Sequence, residues 1–211
     1  VSENAWRTGG AASGSSTMFL PIGSKVTVEN LIKGIIIQSG NDACIVAAEN
    51  IAGSEEDFAE LMNAKAKELG LKNSHFVNST GLPHPDHRMS AEDLARLAQA
   101  LIRDFPEYYS VFSQKSFTYN NILQGNRNPL LYSMSDADGL KTGHTAEAGF
   151  CLTASVKRGD RRLIGVMTGL KSNKERSEEA EKLMNWGFRE FNNYKVFKQF
   201  QRIVSVPVYM G

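Results

Sequence analysis

Lys141-Thr142-Gly143-His144-Thr145 sets a cationic side chain, a hydroxyl and a bare glycine in succession, after Asp138-Gly139 and before an apolar alternating segment. Such an order suits the wall of an acyl-transfer site. It offers a fixed positive charge, a hydrogen-bond donor, and backbone against which a substrate can lie. Well upstream stands a second triplet, Ser39-Gly40-Asn41. No lysine of the chain has a serine three positions before it. The nearest approach is Thr168 before Lys171.

The elements that must position these residues divide the chain in two. Residues 1–25 are rich in Gly, Ser and Ala and read as a loop leading to Met18-Phe19-Leu20-Pro21. Thr27 is placed to cap a short helix over 28–36, which runs into a turn at Ser39-Gly40-Asn41. A helix over 42–52 stops at Gly53. Ser54 caps the next, with Asp57 in the capping-box position; Phe58, Leu61, Met62 and Leu69 mark its expected buried face, and Gly70 closes it. Ser90 caps the clearest helix, whose apolar stripe is Leu94, Leu97, Ala98, Leu101 and Ile102, with Pro106 at the exit. Residues 27–105 are therefore expected to form a mainly helical unit.

The period then changes. Phe150, Leu152, Ala154 and Val156 alternate with Cys151, Thr153 and Ser155, predicting a half-buried strand. Arg158-Gly159-Asp160-Arg161 is a turn, and 162–170 returns as the antiparallel partner. A last helix is expected over 174–191, with Ala180, Leu183, Met184, Phe188 and Phe191 on one face. Ile203 to Tyr209 reads as an edge strand because of Pro207. The pattern predicts an α/β chain (α+β, layered), with an antiparallel sheet flanked by helices.

Composition narrows the function. The chain has 211 residues, 41% of them hydrophobic, enough for one core, and a formal net charge of +1. No Lys/Arg-rich run or aromatic-interleaved basic patch suggests nucleic acid. No apolar stretch approaches the roughly 18 residues that span a membrane. Cys44 and Cys151 sit in apolar settings and are expected to be buried free thiols. His84-Pro85-Asp86-His87 lies in a loop without an apparent third ligand, so neither a metal nor a cofactor is expected.

Further segments join the two triplets: Ser39 to Cys44, Leu69 to Phe76, Thr80-Gly81-Leu82, Asn126-Arg127-Asn128, Asp138 to Thr145, and Trp186-Gly187-Phe188. In this order they resemble the penicillin-binding D-alanyl-D-alanine carboxypeptidases of low molecular mass, over nearly the whole chain. Those serine enzymes combine Ser-x-x-Lys, Ser-x-Asn and Lys-Thr-Gly. The resemblance implies a β-lactamase/transpeptidase-like fold with a helical subdomain. It implies removal of the terminal D-alanine from peptidoglycan stem peptides through an acyl-enzyme, which β-lactams also form. The location implied is the periplasm or the outer face of the bacterial cytoplasmic membrane.

The resemblance implies the following roles, position by position. Ser39 relays a proton to the departing amine, since a hydroxyl both accepts and donates. Asn41 holds the substrate's peptide carbonyl or the neighbouring lysine. Lys141 supplies charge, Thr142 donates to the terminal carboxylate, and Gly143 lets the substrate pair with the strand edge. His144 contributes its backbone N–H to an oxyanion hole. Arg176 faces the carboxylate, with Arg127 as a second cation; Arg176 as a surface partner of Glu175 or Glu179 is the bland alternative.

The nucleophile is expected in a missing N-terminal segment, possibly a separate chain. Residues 1–200 would then be the later part of the catalytic domain, with 138–192 its hairpin and last helix, and 201–211 would open a truncated β-rich domain. Without the missing segment, the hairpin over 148–170 is expected to expose an edge and an apolar face. The rivals are a non-catalytic peptide-binding fragment, a D,D-endopeptidase or transpeptidase, and a class A β-lactamase. The last needs a Glu-x-x-Leu-Asn stretch; Glu60-Leu61-Met62-Asn63 is one residue short.

Overall fold

The computed structural model describes residues 1–194, 196, 197, 200–205 and 209. The helical half comprises α1 (Val28–Lys33), α2 (Asn41–Ala52), α3 (Glu55–Glu68), α4 (Ala91–Asp104) and the single turn α5 (Pro106–Tyr109). A hairpin of β1 (Ser116–Tyr119) and β2 (Ile122–Gly125) follows, then the turn α6 (Leu130–Ser133). The second half is a three-stranded antiparallel sheet, β3 (Ala137–Thr145), β4 (Gly149–Arg158) and β5 (Arg161–Leu170), in sequence order, closed by α7 (Asn173–Glu190). The predicted antiparallel sheet with flanking helices is what forms.

Hydroxyls start the helices. Thr27 accepts from the Asn30 amide at 3.2 Å, Ser54 from Asp57 at 3.0 Å, and Ser90 from Asp93 at 3.1 Å. Each satisfies one of the donors that a first turn leaves without a partner. Ser172 does the same for α7 through the Glu175 amide at 3.0 Å, a cap that the sequence reading passed over.

Several expectations need correction. The first 25 residues are not a plain loop. They hold a π-helical turn at Ala5–Gly9 and a 3-10 turn at Ala11–Ser13, and Ala5, Met18 and Leu20 are core residues beside Ala43, Ile45 and Val46. Gly9 permits this: a Cβ there would stand 2.5 Å from the Asp42 amide nitrogen. The helix expected over 28–36 is α1 followed by a π-helical turn at Gly34–Gln38. In α3 the buried positions are Ala59 and Ala66, whereas Leu61 is half exposed and Phe58, Met62 and Leu69 line a shallow apolar groove with Leu97.

The middle strand differs in kind from its prediction. Because β4 has a neighbour on each side and a helix on each face, Thr153 and Ser155 are buried as well as Leu152, Ala154 and Val156. Leu152, Ala154 and Val156 pack with Ala180 and Met184 of α7, and Ser155 is satisfied by Arg162 Nη1 at 2.5 Å. The expected bare apolar face of the hairpin is thus covered, by α7 on one side and by α4 on the other. Phe191 falls after α7 and is exposed, its ring edge-on to Trp186. Ile203, Val204 and Ser205 belong to no regular element, and the rest of the predicted tail strand includes positions 206–208, which lie outside the described residues.

Candidate active site

Ser39 ends the π-helical turn with φ 57° and ψ 36°, a left-handed conformation uncommon for a residue with a Cβ. π-turns and such outliers concentrate where a side chain must be aimed. Backbone bonds hold the turn: the Gly40 amide donates to Gly34 O at 3.0 Å, and the Asn41 amide to Ser16 O at 2.8 Å.

Asp42 locks the same turn from below. Its carboxylate is fully buried and accepts from Thr17 Oγ1 at 2.7 Å and from the amides of Met18, Leu20 and Ala43 at 2.8, 3.0 and 2.9 Å. Four donors on one carboxylate balance its removal from water. Sequence reasoning assigned Asp42 nothing. An acid opening an otherwise apolar helix was the available signal.

The second wall is β3, an edge strand. Lys141 reaches from it to Ser39, its Nζ donating to Ser39 Oγ at 2.7 Å and to Thr142 O at 3.0 Å. Burial pushes the Lys141 ammonium down to about 8; Cys44 opposes the shift, and the positive fields of Arg127 and Arg176 add to it. The ammonium therefore still predominates at neutral pH but gives up its proton far more readily than a solvated lysine. Burial also raises the Cys44 thiol, to about 11.

Arg176 enters from the first turn of α7 and is only 6% exposed. It is no surface partner of the nearby glutamates, since Glu179 pairs with Lys182 and Glu175 accepts from the Lys171 amide. Its Nη1 donates to Gly143 O at 3.3 Å and Cys151 O at 3.4 Å, and its Nη2 to Asn173 Oδ1 at 2.7 Å. The guanidinium carbon lies 5.5 Å from the Phe150 ring centre. His144 is exposed, its ring 4.1 Å from that of Phe150, the residue opposite it in the register of β3 and β4. Arg127 comes from the loop before α6 and donates to Ser16 Oγ. Asn126 steadies that loop by donating to Gln114 O at 2.9 Å.

Ser39, Asn41, Arg127, Lys141, Thr142, Gly143, His144 and Arg176, spread over 138 positions of sequence, all line one cleft of about 1000 Å³. All eight residues singled out from the sequence are brought together. Cys44 and Cys151 line it too and are half-buried free thiols, not the fully buried ones expected. A rim that sequence reasoning left without a role is Ser79-Thr80-Gly81-Leu82. Asn78 Oδ1 folds it by accepting from the amides of Thr80 and Gly81, and Glu55 anchors it by accepting from the Ser79 hydroxyl at 2.5 Å. Among the described residues no three His, Cys, Asp or Glu side chains cluster as metal ligands.

The family model described as D-alanyl-D-alanine carboxypeptidase (peptidase S11) matches residues 1–172. The chain is 49% identical to the D-alanyl-D-alanine carboxypeptidase DacC of Escherichia coli, over all of this chain and 53% of the relative. Its structure superposes on penicillin binding protein 5 from Haemophilus influenzae with a TM-score of 0.90 at 41% identity, covering 97% of this chain and 59% of that one. A DD-transpeptidase of Streptomyces K15 superposes with a TM-score of 0.79 at 30% identity, covering 84% and 74%. The fold is thus β-lactamase/transpeptidase-like. The chain spans about half the length of the curated relatives it matches. With a family model matched over most of its residues and relatives this similar, the chain belongs to the D-alanyl-D-alanine carboxypeptidase family.

Proposed function

We propose that this chain forms the receiving wall of a serine D-Ala-D-Ala carboxypeptidase acting on peptidoglycan stem peptides. The observation that carries the reading is the 2.7 Å contact of Lys141 Nζ with Ser39 Oγ inside a cleft that also presents Arg176 and a strand edge. A serine hydroxyl attacks the carbonyl of the penultimate D-alanine; a C–O bond forms, the C–N bond breaks, and the terminal D-alanine leaves as an amine. Water then hydrolyses the ester.

Each residue has a task in this scheme. Ser39, hydrogen-bonded to an amine near its own pKa, passes the proton to the leaving nitrogen. Lys141 and Arg176 supply positive charge for the terminal carboxylate, Arg127 adds a third cation at the rim, and Thr142 donates a hydrogen bond. The free edge of β3 beside Gly143 takes the extended peptide as an added strand, and the His144 N–H serves the developing oxyanion. Asn41 donates its amide to the peptide carbonyl. The attacking serine and its lysine are not among these 211 residues, which hold no Ser-x-x-Lys, and we assign them to another segment of the same protein. β-Lactams, which carry a carboxylate beside a strained amide, occupy the same cleft and acylate the same serine. Peptidoglycan as substrate places the protein outside the cytoplasm, in the periplasm or on the outer face of the membrane.

Fluorescent penicillin tests this. The full-length protein is expected to be labelled covalently, at a serine outside these residues, and to release D-alanine from a D-Ala-D-Ala peptide. Label on Ser39, or none on an otherwise folded protein, would sink the assignment.

A further inference from the structure

We propose that Asn173 is a positioning residue that sets how the cleft recognises a carboxylate. The inference rests on the reading of Arg176 as the group that faces the substrate's terminal carboxylate. A guanidinium has five N–H donors in a rigid plane. In Arg176, Nη1 is turned toward two strand carbonyls at 3.3 and 3.4 Å, both long for such bonds, and Nε has no hydrogen-bond partner among the described residues. The shortest contact on the whole group is Nη2 to Asn173 Oδ1 at 2.7 Å. Asn173 lies one helical turn before Arg176, at the first position of α7, and lines the same cleft. Its amide oxygen is the main restraint on the plane of the fork.

The chemistry of that restraint matters. An amide oxygen accepts a hydrogen bond without neutralising the cation it orients, so the full charge of Arg176 is left for an incoming anion. A carboxylate in the same place would hold the fork equally well but would already satisfy it as an ion pair. Asn173 therefore gives orientation while keeping the site selective for an anionic terminus.

Two substitutions in the full-length protein separate this from a structural role. Asn173→Asp should cut the preference for a D-Ala-D-Ala peptide over its C-terminal amide, as a ratio of kcat/KM values, by about tenfold. It should also hold or raise Tm, because an acid at the start of a helix suits its dipole. Asn173→Ala should raise KM for the free acid several-fold, with a smaller change in kcat. The inference is overturned by an Asp variant with the parent's acid-to-amide ratio, or by variants in which the ratio and Tm fall together. If the unsubstituted protein itself does not prefer the acid, the carboxylate reading of the cleft fails instead, a result that the parent enzyme alone reveals.

Discussion

Lys141 Nζ and Ser39 Oγ meet at 2.7 Å although 102 positions separate them in sequence, one on a sheet edge and the other at the end of a π-helical turn. The contact joins the helical half to the sheet at the point where the chemistry is proposed to occur. It also brings a lysine out of water within the positive fields of Arg127 and Arg176.

Burying that lysine disfavours its charged form, and the sign of the effect on stability follows. In the folded chain the group titrates at about 8, against 10.5 for a free lysine amine, so between these values the unfolded chain binds more protons. Stability contributed by this group therefore rises with pH across that window and is lowest below it. Lys141→Met should raise Tm below about pH 8 while abolishing D-alanine release, and its advantage should shrink toward about pH 10. Thermal melts of both proteins across that range check the prediction; a constant difference would contradict it.

Ser39 presents the same conflict in its backbone. Holding a left-handed conformation costs a residue with a Cβ roughly 1 kcal/mol, which glycine does not pay. Ser39→Gly is expected to match or exceed the parent in chemical denaturation, yet to lose about 10²–10⁴ in kcat with the relay hydroxyl gone. Ser39→Ala should lose activity equally without the gain in stability. Comparing the two unfolding midpoints isolates the strain.

These two residues were legible in the sequence because triplet motifs and a resemblance named them, and the caps at Thr27, Ser54 and Ser90 were legible because capping is local. Burial was not. Thr153 and Ser155 look like the wet side of a strand until α4 covers them, and Leu61 looks like core until α3 turns out to bury only alanines. Both outcomes depend on which element lies opposite, which periodicity does not encode. Asp42 was missed for the same reason: its four donors come mainly from residues 17–20, more than twenty positions away.

Asp42 should be among the least replaceable side chains of the chain. Asp42→Ala leaves the Thr17 hydroxyl and the Met18 and Leu20 amides without their acceptor in a buried place, at a cost of about 3–5 kcal/mol. Asp42→Asn keeps the shape but turns one acceptor into a donor facing other donors, and should cost about 2–3 kcal/mol. Because the segment 16–20 carries the Ser16 carbonyl that holds Asn41, loss of penicillin labelling should accompany the loss of stability. Equilibrium unfolding with a labelling assay on the same samples decides it; a stable, unlabelled Asn variant would show that Asp42 acts on the site beyond holding the fold.

The base of β3 is fixed by a second polar group, the half-buried Arg162. Arg162 Nη1 on β5 donates to Asp138 Oδ1 at 2.7 Å and to Ser155 Oγ at 2.5 Å, so one side chain ties all three strands, and the Tyr109 hydroxyl adds a bond to Asp138 at 3.2 Å. Burial raises the Tyr109 phenol well above its usual range, so it remains a donor throughout the working pH. Gly139 lies under that hydroxyl: a Cβ there would stand 2.6 Å from Tyr109 Oη and 3.3 Å from Phe112 Cβ. Gly139→Ala must therefore push Tyr109 off Asp138 or shift the strand two residues before Lys141, and should cost about 1–3 kcal/mol. Adding Tyr109→Phe removes the clashing oxygen and should restore part of that stability, a coupling that a double-mutant cycle measures directly. Strict additivity of the two changes would mean that the contact does not govern how β3 is seated.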